Sequence, residues 1–154
     1  MRKLLNNMGI ENKNRNMTNF TISSLVVIVL LAILPIGVSA QFSSVAEAKE
    51  HCIKALKNND VDALVKSFSD PVEITLPESE NSYSKTQAAM VLRKFLNENK
   101  VNTFSVKQSG KSTGGSEFII GDMTTTTGKN YQVYFLITII NEKAFLHLIE
   151  FELI

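Results

Sequence analysis

The sequence predicts an α+β domain in which N-terminal helices pack on one face of a curved antiparallel sheet. Three observations lead there. Two capping-box signatures, Ser44 with Glu47 and Ser84 with Gln87, each open an apolar stripe at helical spacing. Between them, Val72 to Leu76 alternates apolar and polar residues and is bounded by Pro71 and Pro77, the pattern of a short strand. The final stretch, Ser116 to Ile154, holds β-rich runs separated by short turn signals. Helices and strands that come in blocks, rather than in strict alternation, belong to the α+β class.

The N-terminal part has another character. Leu25 to Leu34 is an uncharged apolar run preceded by Arg2, Lys3, Lys13 and Arg15. Pro35 interrupts it, and Val38-Ser39-Ala40 places small residues where a signal peptidase reads them, so residues 1–40 are expected to be a signal peptide cut after Ala40. The other reading is an uncleaved anchor, the one way this chain would meet a membrane. Ser23 to Ala40 only just reaches the roughly 17–20 residues a spanning helix needs, and Ser23, Ser24, Pro35, Gly37 and Ser39 dilute it. No cysteine follows the cut, so nothing there supports lipidation, and Met17 offers an alternative start.

Residues 41–154 are expected to form a single α+β domain, long enough for one core and too short for two. This piece carries two more acidic than basic side chains, which excludes the basic surface that nucleic acid or an anionic membrane requires. Export points to a periplasmic or extracellular location. The lone cysteine, Cys52, cannot make an intramolecular disulfide there and reads as a small hydrophobe on a helical stripe.

In chain order, Val45 to Lys57 forms the first helix, with Val45, Ala48, Cys52, Ala55 and Leu56 on its buried face and His51 at its solvent edge. Asp60 caps a second, short helix carrying Val61, Leu64, Val65 and Phe68, ended by Asp70-Pro71. Pro77 to Ser82 is a polar turn, and Tyr83 belongs to a return strand. The third helix buries Ala88, Val91, Leu92, Phe95 and Leu96 and frays at Asn97 to Lys100. Phe104 to Gln108 is a strand, and Gly110 to Gly115 is a loop without the order of a phosphate-binding loop.

The register of the final strands follows from keeping apolar residues on one face, because a one-residue slip turns every side chain over. Pairing Thr126 with Tyr131 sets Phe118 against Ile139, Ile120 against Ile137 and Asp122 against Phe135. A three-residue loop, Asn141-Glu142-Lys143, pairs Ile139 with Phe145, Ile137 with His147, Phe135 with Ile149 and Val133 with Phe151. The expected inner face is Phe118, Ile120, Tyr131, Val133, Phe135, Ile137, Ile139, Phe145, Ile149, Phe151 and Leu153, with Gln132, Tyr134, Glu150 and Glu152 outward. A bulge near Gly121 would displace Asp122 from this pattern.

Several local strings carry a resemblance. Asp60-Val61-Asp62-Ala63-Leu64 running into Phe68, Tyr83-Ser84-Lys85 with Gln87-Ala88, and Tyr131-Gln132-Val133-Tyr134 resemble a secreted family known as domain of unknown function 4783. The resemblance spans about Val45 to Glu152. It implies a fold like that of nuclear transport factor 2 and the cystatins, a cone of helices against a curved sheet, and brings no catalytic residue with it. Folds of this shape often keep a pocket between sheet and helices, in which some enzymes place an acid or a histidine.

On the expected register that face carries Asp122 and His147, with Tyr131 at its edge. Their Cα atoms stand on the order of 12 Å apart, too far for direct acid-base cooperation. The plainer reading makes His147 a histidine hydrogen-bonded to backbone and Asp122 a carboxylate with water access. The two histidines lie on different elements, so no metal cage is expected, no G-x-S-x-G elbow occurs, and no cofactor is implied. The function expected is an exported, non-catalytic module that binds a small apolar ligand or a protein partner, with Tyr83, Asp122, Tyr131, Phe135 and His147 as candidate ligand-binding residues. The alternatives are a small pocket enzyme of isomerase, dehydratase or hydrolase type using Asp122 or His147, and a homodimer formed through outward Tyr134, Leu136 and Leu148. Protein exported from a bacterial host is expected to begin at Gln41 by N-terminal sequencing; retention of Leu25 to Leu34 in the mature protein would mark an anchor instead.

Overall fold

The computed structural model describes residues 42–154. The leader and the Ala40/Gln41 cut lie outside the described residues.

Helix α1, Val45–Lys57, starts where the Ser44 hydroxyl accepts from the Glu47 amide at 3.2 Å. The Glu47 carboxylate accepts from the amide and hydroxyl of Ser43, one residue earlier than a capping box would place it. Its buried stripe is Ala48, Cys52, Ala55 and Leu56. Helix α2, Val61–Lys66, is capped by Asp60, whose carboxylate accepts from Ala63 N at 2.8 Å. Helix α3, Lys85–Glu98, carries a complete capping box between Ser84 and Gln87 and buries Ala88, Leu92, Phe95 and Leu96.

The strands are β1 (Phe68–Leu76), β2 (Ser79–Tyr83), β3 (Val101–Lys111), β4 (Glu117–Thr125), β5 (Asn130–Ile140) and β6 (Lys143–Leu153), in the order β2-β1-β6-β5-β4-β3. All neighbours are antiparallel except β1 and β6, which run parallel. Phe68 thus opens a strand rather than closing α2. Asp70-Pro71, a cis peptide, lies inside β1 instead of ending a helix. The proline is tolerated because β2 pairs only with Val72 to Leu76, leaving that end of β1 an edge where the missing N–H is not needed.

Both hairpins depart from the expected register. Between β4 and β5, Thr125 N donates to the Lys129 carbonyl at 2.8 Å across Thr126-Thr127-Gly128, and Lys129 N donates back to the Thr125 hydroxyl at 2.9 Å. Gly128 takes the left-handed conformation, φ 86°, that closes a three-residue loop. Met123 consequently faces Tyr131, and Phe118 faces Leu136. The offset from the expected pairing is odd, so the strand is turned over: Ile119, Gly121 and Met123 are buried inward, while Phe118, Ile120 and Asp122 point out.

Between β5 and β6 the loop has two residues, Asn141 and Glu142, both at positive φ (51° and 64°), and Ile140 pairs with Lys143. Ile139 therefore faces Ala144, and Ile137 faces Leu146. The ladder then shifts between Ile137 and Leu136, which faces Leu148, so His147 is an extra residue on β6. Beyond this bulge, Phe135 with Ile149 and Val133 with Phe151 pair as expected. The bulge reconciles a tight hairpin with a consistent inner face.

That inner face carries Tyr131, Val133, Phe135 and Ile137 from β5 and Ala144, Leu146, Ile149 and Phe151 from β6, all buried. Ile139 and Leu153, expected inward and covered, are half exposed at 50% and 55%. Helix α1 packs on β3, β5 and β6, and α3 on β1 and β2. Each fully buried Phe or Leu contributes about 2–3 kcal/mol through removal of apolar surface from water. Phe42, which the sequence did not single out, docks beside this core, its carbonyl accepting from Ala144 N and its ring 4.6 Å from that of His51.

The expected bulge near Gly121 occurs on the neighbouring strand, where β3 shifts register between Val106 and Gln108, opposite Gly121. The Phe104 ring lies directly over Gly121: a Cβ there would come within 2.5 Å of Phe104 Cζ and 2.8 Å of the Ser105 carbonyl. Gly121→Ala is accordingly expected to cost about 1–3 kcal/mol in urea denaturation, because backbone must move to admit the methyl group.

Candidate functional site

The sheet and α3 diverge at one end, where α3 stops at Glu98 and the β1–β2 turn and β4–β5 loop come together. The gap is a cavity of about 490 Å³. Leu76, Val91, Phe95 and Leu153 supply its apolar surface, together with the rings of Tyr83 and Tyr131; Glu78, Ser79, Lys94, Glu98 and Lys129 stand around it. Phe95 meets Tyr131 edge-on at 5.6 Å and lies 4.8 Å from Phe151, so the cavity wall is continuous with the core.

Asn99 organises the polar end. As the residue capping α3, it donates from Nδ2 to the Phe95 carbonyl at 3.0 Å. Its Oδ1 accepts from the Tyr131 hydroxyl at 3.0 Å and from Lys129 Nζ at 3.4 Å. Asn99 is 5% and Tyr131 3% exposed, so this junction is built into the fold. Burial raises the Tyr131 phenol above its ordinary value of 10.0, keeping it a neutral donor. Neither Asn99, at a helix end, nor Lys129, in a turn, carries a local signal of this role, because only folding brings the end of α3 against Lys129 and Tyr131.

The candidate residues divide. Tyr83 and Tyr131 line the cavity. Phe135 is fully buried in the core, 6.1 Å from the Phe104 ring. Asp122 does not lie on the inner face as expected: the hairpin register turns it outward, where it pairs with Lys107 at 3.2 Å. His147, also expected inward, stands at the bulge on the other side of the sheet, 3.2 Å from Ser69 Oγ through Nδ1 and 4.0 Å from Glu73 Oε1 through Nε2.

Serine, histidine and glutamate in a row have the outline of a hydrolytic triad but not its working arrangement. The Ser69 hydroxyl is buried and donates to the Pro71 carbonyl at 2.6 Å, so its oxygen is left to accept from Nδ1–H and to hold the ring. Cys52 is equally committed: burial pushes its thiol up to about 12, and Sγ donates to Ser67 Oγ at 3.2 Å. Among the described residues no group of three or more His, Cys, Asp or Glu side chains is placed to hold a metal ion.

The Tyr131 environment sets an alkaline limit. A folded-state value above the unfolded one contributes stability that is fully present below about pH 10 and is lost as pH rises through the folded value. Thermal melts between pH 8 and 11 are expected to show this loss in the native sequence and a smaller one in Tyr131→Phe.

Comparison with known proteins accords with this architecture. No curated protein matches the chain. A DUF4783 family protein from Bacteroides ovatus is 28% identical, with a TM-score of 0.62 over 68% of this chain and 93% of its own. An NTF2-like protein of unknown function from Cytophaga hutchinsonii (14% identity, TM-score 0.54, 72% and 90% coverage) and a cystatin fold protein from Novosphingobium aromaticivorans (18%, 0.52, 68% and 94%) share the fold. Residues 49–152 match the family model described as Domain of unknown function (DUF4783), and the chain belongs to that family.

Proposed function

We propose that this protein is an exported, non-catalytic module that holds a small apolar ligand in the cavity between α3 and the sheet. The observation that carries the reading is the cavity itself. At about 490 Å³ it falls in the size range of small-molecule sites, and it combines aromatic and aliphatic walls with a few anchored polar groups. Export rests on the basic, apolar and small-residue order of residues 1–40. The groups on which a pocket enzyme would draw are disposed otherwise: Asp122 is paired with Lys107 on the outer face, and His147 is held by Ser69 at the bulge.

The neutral fluorophore N-phenyl-1-naphthylamine tests the reading, since its emission rises when it leaves water. Saturable enhancement is expected with the native sequence. Val91→Trp, which fills the cavity from α3, is expected to reduce it at least about tenfold, given the roughly 1.4 kcal/mol that a factor of ten represents. An unchanged titration in a Val91→Trp protein with native circular dichroism would place the probe elsewhere and remove the proposal.

A further inference from the structure

The cavity is surrounded by charge of both signs, from Lys94, Lys129, Glu78 and Glu98. No ion pair joins these four side chains to one another, and Lys94, Glu78 and Glu98 have no side-chain partner among the described residues. Lys129 differs from the rest. Its ammonium is fixed on Asn99 Oδ1 beside the Tyr131 hydroxyl, and Asn99 is in turn fixed on the Phe95 carbonyl. One of its three N–H donors is used there, which leaves two for a ligand. The acceptor is an amide oxygen, so the positive charge is positioned without being neutralised.

We infer that the cavity recognises an apolar molecule ending in a carboxylate, whose oxygens take the remaining Lys129 donors while its hydrocarbon part lies against Phe95, Val91 and Leu76. This rests on the ligand-binding reading above and specifies its chemistry. An anion is favoured over a cation because the ordered charge at the wall is the ammonium. All four charged side chains are exposed, but only Lys129 is held at the wall by a hydrogen bond, and none aims either glutamate inward. Lys94, also on the cavity side of α3, adds a second positive charge. A charge-assisted hydrogen bond here forms beside a buried phenol and amide, where it is stronger than in open water.

The test uses three probes with the same alkyl chain: octanoate, octanamide and octylammonium, titrated calorimetrically into the exported protein at pH 7.5. Octanoate is expected to bind about tenfold tighter than octanamide, consistent with a hydrogen bond to a charged group, and octylammonium weakest. Lys129→Gln should erase the octanoate preference, whereas Lys107→Gln on the outer face should leave it. Added salt should weaken octanoate selectively.

Equal binding of octanoate and octanamide, both lost in Val91→Trp, would overturn the carboxylate inference and leave the apolar site standing. Tightest binding of octylammonium would overturn it in favour of Glu78 and Glu98. If none of the three binds and N-phenyl-1-naphthylamine is also indifferent to Val91→Trp, the site and its specificity fall together.

Discussion

The alternation of β5 is the constraint on which the rest of the structure depends. Tyr131, Val133, Phe135 and Ile137 project to one side of this strand and are buried there without interruption. Each neighbour must offer its own apolar residues to the same side. The three-residue loop closed by Gly128 does this for β4 by presenting Ile119 and Met123. For β6, a two-residue turn followed by a bulge at His147 does it by presenting Leu146 above the bulge and Ile149 below. Without the extra residue, a tight turn would carry Ile149 and Phe151 to the solvent face.

The same geometry decides which polar residues reach the candidate site. The turned-over β4 sends Asp122 outward, and the bulge sends His147 toward Ser69 and Glu73. The cavity is left to Tyr131, the first inward residue of β5, and to whatever the end of α3 and the β4–β5 loop bring beside it. Asn99 satisfies a carbonyl at the end of the helix and accepts from the sheet and the loop at once, so one side chain serves as helix cap, core polar contact and anchor for a cation. Its burial with all partners satisfied is what makes the arrangement rigid.

Much of this was readable in advance. Ser44, Asp60 and Ser84 marked three helix starts, and the stripes behind them matched the buried faces almost residue for residue, because capping and helical periodicity act over a few residues. The inner face of β5 and the lower half of β6 were likewise legible from alternation. The β4 face was not, because Phe118, Ile119 and Ile120 are consecutive and apolar, so either parity gives a plausible strand. Among the cavity residues Tyr83 and Tyr131 are legible from the sequence, whereas Asn99, Lys129 and Lys94 look like ordinary solvated positions until the end of α3 meets the β4–β5 loop.

The sequence by itself determined the elements, their order, the class of fold and which face of each helix is buried, since these follow from local hydrogen bonding and from the period of apolar residues. Only the tertiary structure decided the pairings: the parallel contact of β1 with β6, the parity of β4, and the bulge that displaces His147. These pairings are resolved by packing against Tyr131, Val133, Phe135 and Ile137, a nonlocal energy that no short window of residues contains. The Asn99–Tyr131–Lys129 junction belongs to that second group, and it gives the cavity its chemical character.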